Sequence, residues 1–130
     1  MATDGIFITW IATILVLLFG ANSSAAYEIV HIDTASQLIE HFGEKLQILD
    51  VRTPEEYALG HIPHAHNLNI GNQSFKQQIL ALNPDMPILV YCRSGVRAES
   101  AASILASAGF TEIYLMKAEF SSWMKSHPVA

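Results

Sequence analysis

The sequence predicts an α/β domain with a mostly parallel central sheet flanked by helices. Three observations lead to this prediction. After residue 26, short runs rich in Ile, Leu, Val and Tyr alternate with segments that carry helix-start and helix-stop residues, which is the pattern of βαβ units. Two of these runs, "LQILDV" and "MPILVY", are almost wholly apolar, as strands buried on both faces are. A chain of 130 residues is long enough for one such domain.

The first half of the domain contains three predicted strands and two predicted helices. "YEIVHID" predicts a strand, and Thr34 is the predicted N-cap of a helix over "ASQLIEHF" that ends at Gly43. "LQILDV" predicts the second strand. In "TPEEY" we expect Thr53 to cap a short helix that begins at Pro54, with Glu56 completing a capping box. "AHNLNI" is a candidate third strand.

The second half continues the alternation. "NQSFKQQILALN" predicts a helix, "MPILVY" a strand, "VRAESAASILASAG" a helix that ends at Gly109, "EIYLM" a strand, and "EFSSWMKSH" a last helix with Phe120 and Trp123 in the core. Parallel sheets of this kind place their sites at the carboxyl ends of the strands. Three strand ends therefore border the predicted site. They are the strand ends that carry Asp50 and Arg52, Cys92, and Lys117.

Residues 1–26 are predicted to form an export segment. "GIFITWIATILVLLF" carries no charge, and Ser24 and Ala26 have the spacing of a signal-peptidase site. The apolar run is shorter than the ~20 residues that a relaxed membrane-spanning helix needs. This favours a cleaved signal peptide over a retained N-terminal anchor, although "MATDG" lacks the usual Lys or Arg. Both alternatives place the domain, residues 27–130, in a non-cytoplasmic space.

Composition and residue spacing argue against a nucleic-acid partner, an intramolecular disulfide and a metal site. The net charge is −5 and the seven Lys and Arg form no basic run, so we expect no nucleic-acid partner. A single cysteine cannot form an intramolecular disulfide. The spacing of His61, His64 and His66 matches no strong zinc motif, so we expect no metal site. Contact with a membrane is expected only if the N-terminal segment is retained.

Cys92 is the only cysteine and follows the strand "MPILVY" at the start of the loop "CRSGVRA". Gly95 permits a curled backbone there. A curled loop that leads into a helix start points successive N–H groups inward and forms a nest for an anion. These N–H groups, together with the guanidinium groups of Arg93 and Arg97, favour a sulfur anion. We therefore predict that Cys92 is a nucleophile rather than an inert core residue.

These motifs carry a family resemblance. "YCRSGVRA" resembles the active-site loop of rhodanese-type sulfurtransferases, and "LDVRTPEEYALGHIPHAHNL" resembles that family's first signature. With its export segment, the chain is similar to single-domain periplasmic rhodaneses of the phage-shock-protein kind. The resemblance implies a three-layer rhodanese-like fold and a thiosulfate sulfurtransferase that carries sulfane sulfur as a persulfide on Cys92. It implies a small anionic sulfur donor, a cyanide or thiol acceptor, no cofactor and a periplasmic location, anchored to the membrane if the N-terminal segment is retained.

The resemblance also implies roles for single residues. Asp50 and Arg52 are expected to be structural residues near the site. The expected substrate-binding residues are those of the loop: Arg93, Ser94, Gly95, Val96, Arg97 and Ala98. Two positions depart from the family pattern, which usually has Gly at position 64 and Gly-Gly at positions 117 and 118. His64 and Lys117-Ala118 therefore predict a different turn and a changed rim of the active site.

Other functions on the same fold stay open to different degrees. A persulfide carrier that delivers sulfur to a protein partner fits the same residues, and a non-catalytic interaction module is a further alternative. Phosphatase and arsenate-reductase chemistry is disfavoured, because the active-site loop of those relatives resembles the pattern His-Cys-x5-Arg. Here Tyr91 precedes the cysteine, and only four residues separate Cys92 from Arg97.

Overall fold

The computed structural model describes residues 26–130, which fold around a five-stranded, wholly parallel sheet. Numbered along the chain, the strands are β1 (Glu28–Val30), β2 (Gln47–Asp50), β3 (His66–Asn67), β4 (Ile88–Tyr91) and β5 (Ile113–Met116). In the sheet they lie in the order β1-β5-β4-β2-β3, with β4 in the centre. The predicted α/β fold with a parallel sheet is confirmed. Apart from Ala26, the predicted export segment lies outside the described residues.

Helices connect the strands and form the outer layers. Single 3-10 turns, Gly43–Lys45 and Ile79–Ala81, extend the first and third of them. Within residues 26–130 no helix combines the length and the apolar character needed to cross a membrane. The helices are α1 (Ile32–Phe42), α2 (Pro54–Ala58), α3 (Phe75–Gln78), α4 (Val96–Ser107) and α5 (Phe120–Ser126).

The predicted helix caps are partly confirmed. Thr53 and Glu56 form the expected capping box on α2 with Pro54 in its first turn, and Gly43, whose φ is 55°, is the C-cap of α1 as predicted. The N-cap at Thr34 is wrong, because α1 begins at Ile32 and His31 precedes it. The reason is packing: β1 ends at Val30, and an earlier helix start brings Ile32 against the core.

The core forms two layers, one on each face of the sheet. Side chains of β4 alternate between them, as the two-residue period of a strand requires. Ile88 and Val90 pack on the face covered by α3 and α4, whereas Leu89 and Tyr91 pack on the face covered by α1 and α5. Cys92 continues the alternation towards α4. Small residues of α4, namely Ala98, Ala101 and Ala102, are fully buried and let that helix lie close to the sheet.

Candidate active site

The Cys92 sulfur lies inside the loop that joins β4 to α4. The side chain is only 1% exposed. Sγ accepts hydrogen bonds from the backbone N–H of Gly95 at 3.1 Å and from that of Ala98 at 3.4 Å. The loop closes this way because Gly95 adopts a φ of 103°, a left-handed conformation that disfavours other residues. Two backbone N–H groups therefore point at the sulfur, and they would stabilise a negative charge on it.

Arg97 belongs to the same loop, but its guanidinium is paired with Glu56 of α2. Nη1 and Nη2 contact the two carboxylate oxygens at 2.7 and 2.9 Å. This bidentate hydrogen bond lowers the pKa of Glu56 to about 2 and raises that of Arg97. The loop is thereby tied to the capping box of α2. The pair links residues 41 positions apart, so no local pattern in the sequence indicates it.

A buried polar network lies beneath the loop. Asp50 is fully buried at the end of β2, where its carboxylate accepts two-pronged hydrogen bonds from Arg52 at 3.0 and 2.7 Å. The Arg52 guanidinium also donates to the carbonyl of Gly60 at 2.7 Å and lies 4.3 Å from the ring centre of Phe120. Burial is the largest single effect on Arg52 and lowers its pKa, but the hydrogen bond and the charge of Asp50, with smaller contributions from Tyr91 and Glu56, together outweigh burial and leave the pKa raised. This arrangement holds the end of β2 against the segment that follows α2.

Tyr91 and Asn67 complete the network, and sequence reasoning missed both. The Tyr91 hydroxyl donates to Asp50 at 2.7 Å and accepts from the N–H of Ile62 at 3.0 Å. Burial, followed by the charge of Asp50, raises the pKa of Tyr91 far above its usual value. The Asn67 amide donates to the carbonyls of Asp50 and Arg52 at 3.1 and 2.9 Å. Tyr91 is the residue before Cys92, so this network positions the start of the loop.

The segment after β5 packs along the loop. The Phe120 N–H donates to the carbonyl of Arg93 at 2.8 Å. A Cβ built on Gly95 would lie 2.9 Å from Cγ of Lys117 and 3.2 Å from its Cα. Lys117 extends towards the first turn of α4, where its ammonium lies 3.9 Å from a carboxylate oxygen of Glu99. Lys117 therefore forms part of the wall of the loop.

Known proteins resemble most of this chain. The rhodanese-like domain family matches residues 34–126. The chain belongs to the rhodanese-like domain family. It is similar to the protein named thiosulfate sulfurtransferase GlpE of Pseudomonas fluorescens, with 36% identity over 81 residues, which are 62% of this chain and 72% of that protein. The protein of the same name from Vibrio cholerae is 30% identical over 98 residues, 75% of this chain and 91% of that protein.

Solved structures support the same fold. The rhodanese-related protein of Thermoplasma volcanium has a TM-score of 0.66 and 23% identity, and the match covers 80% of this chain and 98% of that one. The Alr3790 protein of Anabaena has a TM-score of 0.69 and 24% identity, covering 78% of this chain and 81% of that one. The three-layer rhodanese-like fold is thus confirmed.

The remaining loop side chains of this rhodanese-like domain differ in exposure. Those of Arg93 and Val96 are exposed, that of Ser94 is partly buried, and Ala98 is buried beneath the loop. Their roles in substrate binding stay predictions. Beside the loop lies a cleft of about 380 Å³, lined by Arg52, Glu56, Leu59, Gly60, Arg93, Glu119, Phe120, Ser121 and Met124.

Two histidines of the first rhodanese signature, His61 and His64, have different surroundings. His64 has a φ of 71°, in the left-handed region that favours the glycine usual at this position. The ring of His61 stacks 3.6 Å from that of Tyr57, and its Nδ1 lies 2.9 Å from the Tyr57 carbonyl oxygen. Residues 26–130 contain no group of three or more His, Cys, Asp or Glu placed to hold a metal ion.

Proposed function

We propose that the protein is a sulfurtransferase that moves sulfane sulfur from thiosulfate, or a similar anionic donor, to an acceptor through a persulfide on Cys92. The observation that carries the proposal is the Cys92 sulfur, enclosed by two backbone N–H donors at the carboxyl end of the central strand. Relatives named thiosulfate sulfurtransferase, at 30–36% identity, support thiosulfate as the donor.

The first half-reaction loads the cysteine. The Cys92 thiolate attacks the outer sulfur of thiosulfate and forms a new S–S bond. The S–S bond of thiosulfate breaks, and its electron pair leaves with sulfite. The product is a Cys92 persulfide anion, so the total charge is unchanged. The N–H groups of Gly95 and Ala98 stabilise negative sulfur in this step because they already point into the loop.

The second half-reaction returns the enzyme to its thiolate form. Cyanide, or the thiolate of an acceptor, attacks the outer sulfur of the persulfide. The S–S bond to Cys92 breaks with its electron pair on Sγ, and thiocyanate or an acceptor persulfide leaves. Because the enzyme carries sulfur between the two substrates, we expect ping-pong kinetics.

Sulfur loading is the direct test of this mechanism. Reduced protein incubated with thiosulfate should gain one sulfur atom, about 32 Da, which cyanide then removes as thiocyanate. Cys92→Ser should gain no mass and should form no thiocyanate, while its circular dichroism stays that of the wild type. Absence of the adduct from wild-type protein would overturn the proposal and leave an interaction module as the alternative. Loading without turnover on cyanide or small thiols would favour a carrier that serves a protein acceptor.

We also propose that this activity takes place in the periplasm. The support is the uncharged apolar run of residues 5–19 and the small residues Ser24 and Ala26, together with the resemblance to exported rhodaneses of the phage-shock-protein kind. Protein purified from its native host should begin at Tyr27. An intact Met1 on membrane-bound protein would instead show a retained anchor, and an intact Met1 on cytosolic protein would overturn the proposal.

A further inference from the structure

The cationic side chains around the loop that holds Cys92 differ in how strongly neighbouring carboxylates bind them. Arg97 is bound by both oxygens of Glu56 at 2.7 and 2.9 Å, so its charge is matched and its position set. Arg52 is buried and paired with Asp50 at 2.7 Å. Arg93 is exposed and lines a cleft that Glu56 and Glu119 also line.

Lys117 has a stem that lies beside the loop and a charge that is loosely held. Its Cα and Cγ pack against Gly95, the residue whose N–H contacts the Cys92 sulfur. Its ammonium lies 3.9 Å from Glu99, beyond the distance of a good hydrogen bond, and the two side chains are 50% and 49% exposed. An exposed ion pair of this length contributes little free energy, so an incoming anion displaces Glu99 at small cost.

We propose that Lys117 determines specificity for the donor by binding the anionic end of the molecule while its outer sulfur approaches Cys92. This inference rests on the proposed sulfur-transfer function and assigns donor recognition to a side chain outside the cysteine loop. In the donor complex the ammonium leaves Glu99 and contacts the oxygens of the sulfonate group. Recognition is through charge, so a donor with two negative charges depends on Lys117 more than a donor with one.

The test compares thiosulfate, a dianion, with methanethiosulfonate, a monoanion. Lys117→Met keeps an unbranched stem against Gly95 but removes the charge. We expect this variant to raise KM for thiosulfate about fivefold, with kcat within about twofold of wild type, because a screened surface contact contributes an effect of this size. The KM of Lys117→Met for methanethiosulfonate should rise only about twofold, because this donor carries half the charge of thiosulfate. Lys117→Arg should restore most of the lost affinity.

Two further measurements separate recognition from structure. The KM of wild-type protein for thiosulfate should rise with NaCl concentration, and Lys117→Met should flatten that dependence. Lys125 is an exposed lysine of α5, and Lys125→Met serves as the control that should leave KM unchanged. Glu99→Gln should lower KM by freeing the ammonium, and this gain should disappear in the Lys117→Met background.

The outcomes distinguish this inference from the function on which it rests. Equal KM values for wild type and Lys117→Met, in protein that still gains sulfur from thiosulfate, would overturn the role of Lys117 alone. A similar rise in KM for the dianion and the monoanion would also overturn it, because the effect would then not follow donor charge. Failure of wild-type protein to load sulfur would instead overturn the proposed function.

Discussion

Replacing Gly95 with alanine tests how the sulfur-binding loop is built, because the structure leaves little space for a methyl group there. The added Cβ would lie 2.9 Å from Cγ of Lys117 and 3.2 Å from its Cα. The Cγ belongs to a flexible side chain. The Cα belongs to backbone that is held by the hydrogen bond from the Lys117 N–H to the carbonyl of Val30 at 3.0 Å. The loop itself must therefore move.

The expected loss of stability has two parts. A φ of 103° costs alanine about 1–2 kcal/mol, and the reduced freedom of the unfolded chain offsets about 0.5–1 kcal/mol of this. Overlap with Lys117 costs a further ~1–3 kcal/mol. We expect Gly95→Ala to lower the free energy of unfolding by about 2–3 kcal/mol in urea denaturation followed by tryptophan fluorescence.

Gly109 provides a matched control. Its φ is 97°, close to that of Gly95, but no atom lies within 4 Å of its added Cβ. Gly109→Ala should therefore lose only the backbone part, about 0.5–1 kcal/mol. A displaced Gly95 N–H also weakens the 3.1 Å hydrogen bond to the sulfur, so Gly95→Ala should load sulfur from thiosulfate about tenfold more slowly. Gly109→Ala should load sulfur at the rate of the wild type.

Two results would refute this reasoning. Equal losses of stability in the two variants would mean that contact with Lys117 does not restrict the loop. An unchanged loading rate in folded Gly95→Ala would mean that the N–H of Gly95 does not assist the sulfur. The double variant Gly95→Ala with Lys117→Ala should recover part of the stability, because it removes the contact with Cγ and leaves that with Cα.

Three further predictions concern residues outside the loop. Tyr91→Phe leaves a buried backbone N–H without an acceptor and should lower the free energy of unfolding by about 2–3 kcal/mol, whereas Tyr114→Phe, whose hydroxyl bond is exposed, should change it by less than about 0.5 kcal/mol in the same urea titration. Because the pKa of Glu56 is lowered from 4.5 to about 2, its contribution to stability is complete above about pH 4.5 and is lost as the pH falls towards 2. Glu56→Gln should thus show a flatter dependence of the urea midpoint on pH over that range. His64→Gly should raise the urea midpoint and increase the free energy of unfolding by about 0.5–1 kcal/mol, because glycine adopts the left-handed φ of 71° without strain.

Much of the fold was predictable because its signals are local. The apolar runs that form β2 and β4, the capping box of Thr53 and Glu56, and the stop at Gly109 each depend on neighbouring residues. The error at Thr34 shows the limit of such signals. Thr34 is a good capping residue, but the register of β1 on β5 and the burial of Ile32 determine where the helix begins.

By itself, the sequence determined the α/β class, the position of Cys92 at a strand end and the curled loop, since Gly95 and the helix start are adjacent to the cysteine. Only the tertiary structure decided what surrounds that loop: Glu56 holding Arg97, Asp50 accepting from Tyr91, and Lys117 packed on Gly95. The first two pairs are each 41 residues apart, and the third joins neighbouring strand ends. Such contacts arise where the ends of parallel strands meet at one edge of the sheet, and spacing along the chain carries no record of which side chains meet there.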